Sequence, residues 1–122
     1  MQENIKRELE ENLPNFHGTA NYYRHSIGNF KYTDGVKYLA EKAQCYWLLD
    51  VVGSYQYLEE VKNAPFQLWE LITEKDQTAV VTMKEDSDMP DIIKQKLPYT
   101  DFPLEKIRLY LVDNVLMLTS EY

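Results

Sequence analysis

The chain changes its apolar period at Pro65. Before it, VKYLAEKAQCYWLLDVVGSYQYL repeats apolar residues at three- and four-residue steps, and Val36, Leu39, Ala40, Ala43, Trp47 and Val51 would line one wide helical face. After it, FQLWELIT and TAVVTMK are rich in aromatic and β-branched residues, as are KIRLYLV and VLMLTSEY near the end. Proline cannot continue a helix, so Pro65 separates the two regimes. Helices first and strands last predict an α+β domain: one long central helix, kinked or ended near Gly53, packed on a C-terminal antiparallel sheet of about four strands.

The remaining elements follow from local signals. Residues 2–12 favour helix, with Ile5, Leu9 and Leu13 on a narrow face, and Pro14 ends it. That narrow stripe predicts a peripheral helix over 1–14, on the surface or against a partner. Within the helical part, 15–64, Gly18 and Gly28 punctuate the first stretch, and a short helix over 20–27 capped by Thr19 is expected. The sheet occupies 65–122. EKDQ and Asp113-Asn114 read as hairpin turns, which would turn Ile107, Leu109 and Leu111 toward Leu116 and Leu118. The join EDSDMPDIIKQKLPYTDFP is open to helix, strand or loop. At 122 residues the chain is one domain's worth.

Charge and cysteine usage narrow the function classes. Thirteen Lys and Arg against twenty Asp and Glu give a net charge of −7. That disfavours a general nucleic-acid binder and an anionic membrane surface, and it suits a basic protein partner. A lone Cys45 builds no disulfide framework. No apolar run is long enough for a membrane span, so a cytoplasmic location is expected.

Candidate chemistry is sparse. Tyr-Thr-Asp occurs at 32–34 and again at 99–101. Asp34 and Asp101, with His25, are the weak candidates for a metal-dependent nuclease or hydrolase. The same residues suit junctions: Thr33 or Asp34 can cap the long helix, and Asp101 precedes Pro103 in a turn. His17, His25 and Cys45 lie too far apart in sequence for a zinc pattern, and Cys45 reads as a buried thiol. No metal site and no cofactor are predicted. Tyr22, Tyr23, Arg24, His25, Lys31, Tyr32 and Lys37 instead form a local aromatic and basic patch within 17–47, the type of surface that binds RNA or a small ligand.

GTANYYRH, YTDGVKYLAEKAQCYWLLD, FQLWEL, YTDFPLEKIRLYL and the closing SEY, over about residues 16–122, resemble a family of small bacterial and phage proteins catalogued as a domain of unknown function. The resemblance implies a phage or mobile-element setting and carries over no site residues. Here a turn Asp113-Asn114 stands where a Gly-containing turn is expected, and LTSEY stands where LPSEY is common. With few chemical motifs, an acidic charge and ten Tyr, the leading expectation is a non-enzymatic protein. It would dock on a host protein or ribonucleoprotein, an anti-CRISPR-like inhibitor of a bacterial defence effector being the concrete form. A monomer or a homodimer fits, through the first helix or the last strand.

Overall fold

A computed structural model describes residues 2–122. Four helices, α1 (Gln2–Asn12), α2 (Asp34–Lys42), α3 (Tyr46–Ser54) and α4 (Glu59–Lys62), cover one face of a single sheet. Its strands are β1 (Tyr22–His25), β2 (Phe30–Thr33), β3 (Phe66–Thr73), β4 (Ala79–Lys84), β5 (Ile93–Leu97), β6 (Lys106–Val112) and β7 (Val115–Leu118). They lie in the order β1-β2-β7-β6-β3-β4-β5. The class is α+β, as expected, but the sheet has seven strands rather than four.

The C-terminal hairpins form as their alternation predicts. Leu109 pairs with Leu118 and Leu111 with Leu116. Asp113 and Asn114 take φ of 50° and 65°, the left-handed pair that a two-residue hairpin needs. Ile93–Leu97 resolves the ambiguous join into an edge strand beside β4.

The helical half departs from expectation in three places. The stretch expected as a helix over 20–27 is strand β1 and the start of a tight turn, with Gly28 at φ 84° and Asn29 at φ 51° returning the chain into β2. Tyr-rich segments with glycine suit short paired strands as well as helices, and the tertiary partner decides. The long central helix is two helices. Gln44 sits at φ 51°, and the Cys45 N–H donates to the Ala40 carbonyl at 2.9 Å, closing a Schellman turn with glutamine where glycine is usual. The break rotates the apolar phase, so Leu48, Leu49 and Val52 are buried while Trp47 and Val51 are half-buried. Finally, α1 is integral rather than peripheral, because Leu9 is fully buried in the common core.

One pairing unites the halves. β2 runs parallel to β7, with Lys31 beside Val115 and Tyr32 beside Leu116. The last strand is therefore interior, and Leu9 and Leu13 are used within the chain. Neither feature that suggested a homodimer is left unpartnered.

The core lies between the helices and one face of the sheet. Phe30, Trp69, Leu71, Val81, Met83, Ile93, Leu109 and Leu116 contribute to it from six strands, against Val36, Leu39, Leu49 and Val52. The alternate residues Phe66, Ile72, Val80, Tyr110, Val112, Val115 and Met117 belong to no part of that cluster.

Candidate functional site: the open face of the sheet

Strand register assigns the charged strand residues to the face away from the helices. Glu70 lies opposite Arg108 on one side and Thr82 on the other, and Ile72 lies opposite Lys106. Thr82 lies opposite Lys94, Val80 opposite Lys96 and Leu68 opposite Lys84. Across β7, Val115 pairs with Lys31, which pairs with Arg24. Residues directly opposite one another share a face, so these groups form one surface. The seven strands carry seven Lys and Arg but one acid, Glu70, a net +6. The remaining six cations and nineteen acids give the rest of the chain −13, which together make the overall −7.

Local packing keeps this surface cationic. Glu70 is held by Arg108 at 2.6 Å and Lys106 at 3.4 Å. Burial raises the cost of ionising Glu70, but the Arg108 hydrogen bond and the two positive charges outweigh it and hold its pKa below the usual range. Lys84 pairs with Asp91. Arg24, Lys31, Lys94 and Lys96 are exposed and have no salt bridge among the described residues. Lysines on an edge strand such as β5 guard against edge-to-edge pairing. That accounts for Lys94 and Lys96, not for Lys31, Lys106 and Arg108 on interior strands.

The face also carries aromatic rings. The Tyr122 ring stands nearly perpendicular to Phe66 and Tyr110, at centroid distances of 5.6 and 5.3 Å. It is 72% exposed, and Tyr22 on β1 is 59% exposed.

Alternation along β1 and β2 divides the patch expected at 17–47. Tyr22, Arg24 and Lys31 belong to the open face. Tyr23, His25 and Tyr32 turn toward the helices, where Tyr23 and Tyr32 stack at 5.5 Å and His25 packs on Phe30 and Tyr32. His25 Nε2 meets Asp50 Oδ1 at 2.8 Å. Lys37 lies on α2, its ammonium 4.4 Å above the Tyr23 ring. Sequence alone did not single out Lys94, Lys96, Lys106 and Arg108. Their signal was the alternation of cations along IKQKL and KIRLYLV.

The two Tyr-Thr-Asp copies serve different ends of the molecule. At the first, the Thr33 hydroxyl caps α2 by accepting from Val36 N–H at 3.3 Å and donates to Glu121 at 2.6 Å. Asp34 accepts from Ala20 N–H, Asn21 N–H and the Tyr23 hydroxyl, and the Tyr23 hydrogen bond leads in lowering its pKa to about 2. At the second, Thr100 N–H donates to Gln77 O at 2.7 Å, and the Thr100 hydroxyl accepts from Phe102 N–H. Asp101 lies in a shallow groove with Glu3, Lys6 and Gln77, and its charge reaches the Cys45 thiol just beyond the end of α2. Asp34 begins that nine-residue helix. Asp34 is thus engaged by the backbone of residues 20–21 and by Tyr23, while Asp101 belongs to the groove beside Thr100 and Phe102. Cys45 is fully buried, and burial, followed by the Asp101 charge, pushes its thiol up to about 12. Among the described residues, no group of three or more His, Cys, Asp or Glu is arranged to hold a metal ion.

A cleft of about 850 Å³ opens at the other end of the sheet, among Ile27, Gly28, Gly53, Gln67, Asp113 and Asn114. Its charged lining groups among the described residues are Lys62 and Asp113. The Gln67 amide at its base is already satisfied by Gln56, Val61 O and Trp69 Nε1–H.

Fold and surface together define a class: a helix-backed, mainly antiparallel sheet with an open cationic face. The chain belongs to a family of unknown function, DUF6876, which matches residues 7–122. No curated protein and no solved structure matches it. Among the described residues, no helix is long and apolar enough to cross a membrane.

Proposed function

We infer that this chain is a non-catalytic docking protein whose binding surface is the open face of the sheet and whose partner is polyanionic. The observation that carries this reading is the segregation of charge: +6 on the strands against −13 elsewhere. Such a molecule meets an anionic surface best through its strands, since the acids other than Glu70 lie on the helices and on the connecting loops. Supporting it, the candidate reactive groups serve the fold: Asp34 binds backbone and Tyr23, and the Cys45 thiol is buried.

Retention on immobilised heparin at low ionic strength tests the reading. Wild-type protein should be retained despite its negative net charge. The triple variant R24E/K94E/K96E, on the open face, should flow through. The triple variant R7E/K62E/K75E, which has the same net charge and reverses cations outside the strands, should still be retained. Flow-through of the wild type, or equal loss in both variants, overturns the reading.

A finer form of the proposal makes the partner the nucleoprotein of a bacterial defence effector. The phage or mobile-element setting that the sequence resemblance implies motivates it. Phage challenge of cells carrying such a system, with and without this protein, tests it; intact defence in its presence sinks it.

A further inference from the structure

We propose that the open face binds single-stranded nucleic acid, with phosphates on Arg24, Lys31, Lys94, Lys96 and Arg108 and bases stacked on Tyr122 and Tyr22. The proposal rests on the docking reading above and names its partner.

Two observations and one general property of sheets favour a single strand over other polyanions. First, the cations are spread rather than clustered. They begin at β1 and end at β5, six strand steps apart, or about 29 Å at 4.8 Å per step. A track of that length follows an extended backbone better than it grips one compact anion. Second, aromatic faces lie within the track. Tyr22 is on β1 and Tyr110, which supports the Tyr122 ring at 5.3 Å, is on β6, three strand steps or about 14 Å away. Exposed rings interleaved with cations are what sequence-tolerant single-strand binding uses, since every base has a face to stack. An acidic protein partner needs the cations but not the rings. Third, strand twist generally curves a sheet of seven strands, a surface that a flexible strand follows more readily than a rigid duplex. The net charge of −7 does not oppose this, because the acids lie outside the strands, with Glu70 as the exception.

Fluorescence anisotropy with a labelled oligouridylate of roughly a dozen nucleotides tests the proposal. An abasic phosphodiester of equal length and a duplex of equal charge serve as comparisons. Binding to oligouridylate should be tightest and should weaken with salt. R24E/K31E should lower the slope of log affinity against log salt by about 0.7 for each phosphate no longer neutralised. Tyr122→Ala should weaken oligouridylate binding about tenfold, the scale of one base stack, and leave abasic binding unchanged. Circular dichroism confirms that each variant is folded. Equal affinity for the abasic chain, or tighter binding of the duplex, overturns the single-strand proposal while heparin retention keeps the docking reading. Heparin retention without any oligonucleotide binding also overturns it and points to an acidic protein instead. Failure of both probes removes both readings.

Discussion

The Tyr23 hydroxyl donates to Asp34 Oδ1 at 2.8 Å, tying β1 to the first turn of α2. Asp34 also accepts from Ala20 and Asn21 N–H, and its own N–H donates to the Thr19 hydroxyl. One carboxylate thus organises residues 19–23. Its pKa is lowered from 3.8 to about 2, so the stabilisation it gives is complete above 3.8 and is lost as pH falls through about 2. Thermal melts of the wild type should show this loss across that window. Asp34→Asn should melt lower at neutral pH and lack that part of the acid dependence.

Gly28 and Gly53 pack backbone to backbone. A Cβ on Gly53 would stand 2.1 Å from the Ile27 carbonyl oxygen, and one on Gly28 would stand 2.6 Å from Gly53 Cα. Because both obstacles are backbone, neither yields by a rotamer change. Gly53→Ala should cost about 1–3 kcal/mol in urea unfolding, as overpacking typically does. Ser54→Ala, next to it but exposed, should stay within about 0.5 kcal/mol of wild type.

Gln67 is a buried amide with every polar group engaged. Its Nε2 donates to Gln56 and to Val61 O, and its Oε1 accepts from Trp69 Nε1–H and Gln56. Gln67→Leu keeps approximate volume but takes the acceptor from the Trp69 indole and the donor from the Gln56 side-chain oxygen. It should destabilise by about 1–3 kcal/mol for each buried group left unsatisfied. Trp69 fluorescence reports whether the indole environment changes.

Among the described residues Glu70 is the one acid on the strands, and Glu70→Gln raises the net charge of the strands from +6 to +7. Its partners Lys106 and Arg108 are about half exposed, at 48% and 45%, so solvent screens the pair. Stability should change by no more than about 1 kcal/mol. Elution from heparin should move to higher salt. An unchanged elution position would separate the bound surface from this face.

The parts legible in the sequence were those fixed by neighbours. The β3–β4 and β6–β7 hairpins follow from alternation and from Asp113-Asn114. The Thr33 cap follows from a threonine before an apolar period. What escaped depends on distant partners or on exceptions to residue preference. β1 and β2 are four residues each, too short for a period to show, and β2 finds its partner β7 across most of the chain. Gln44 ends α2 in a conformation that glycine usually marks. For the candidate surface, the sequence brought forward Arg24 and Lys31 with Tyr22 but mixed them with inward-facing Tyr23, His25 and Tyr32. Only the register separates them. It then adds Lys94, Lys96, Lys106 and Arg108 from a segment that composition alone rates as ordinary.

The placement of β7 between β2 and β6 governs when the molecule can form. During synthesis, β3, β4, β5 and β6 leave the ribosome before residues 115–118, and can assemble as they emerge. The β1–β2 hairpin, made first, has no strand to join until β7 appears. The sheet is therefore continuous only once residues 115–118 are in place, and without them the open face is two unconnected pieces.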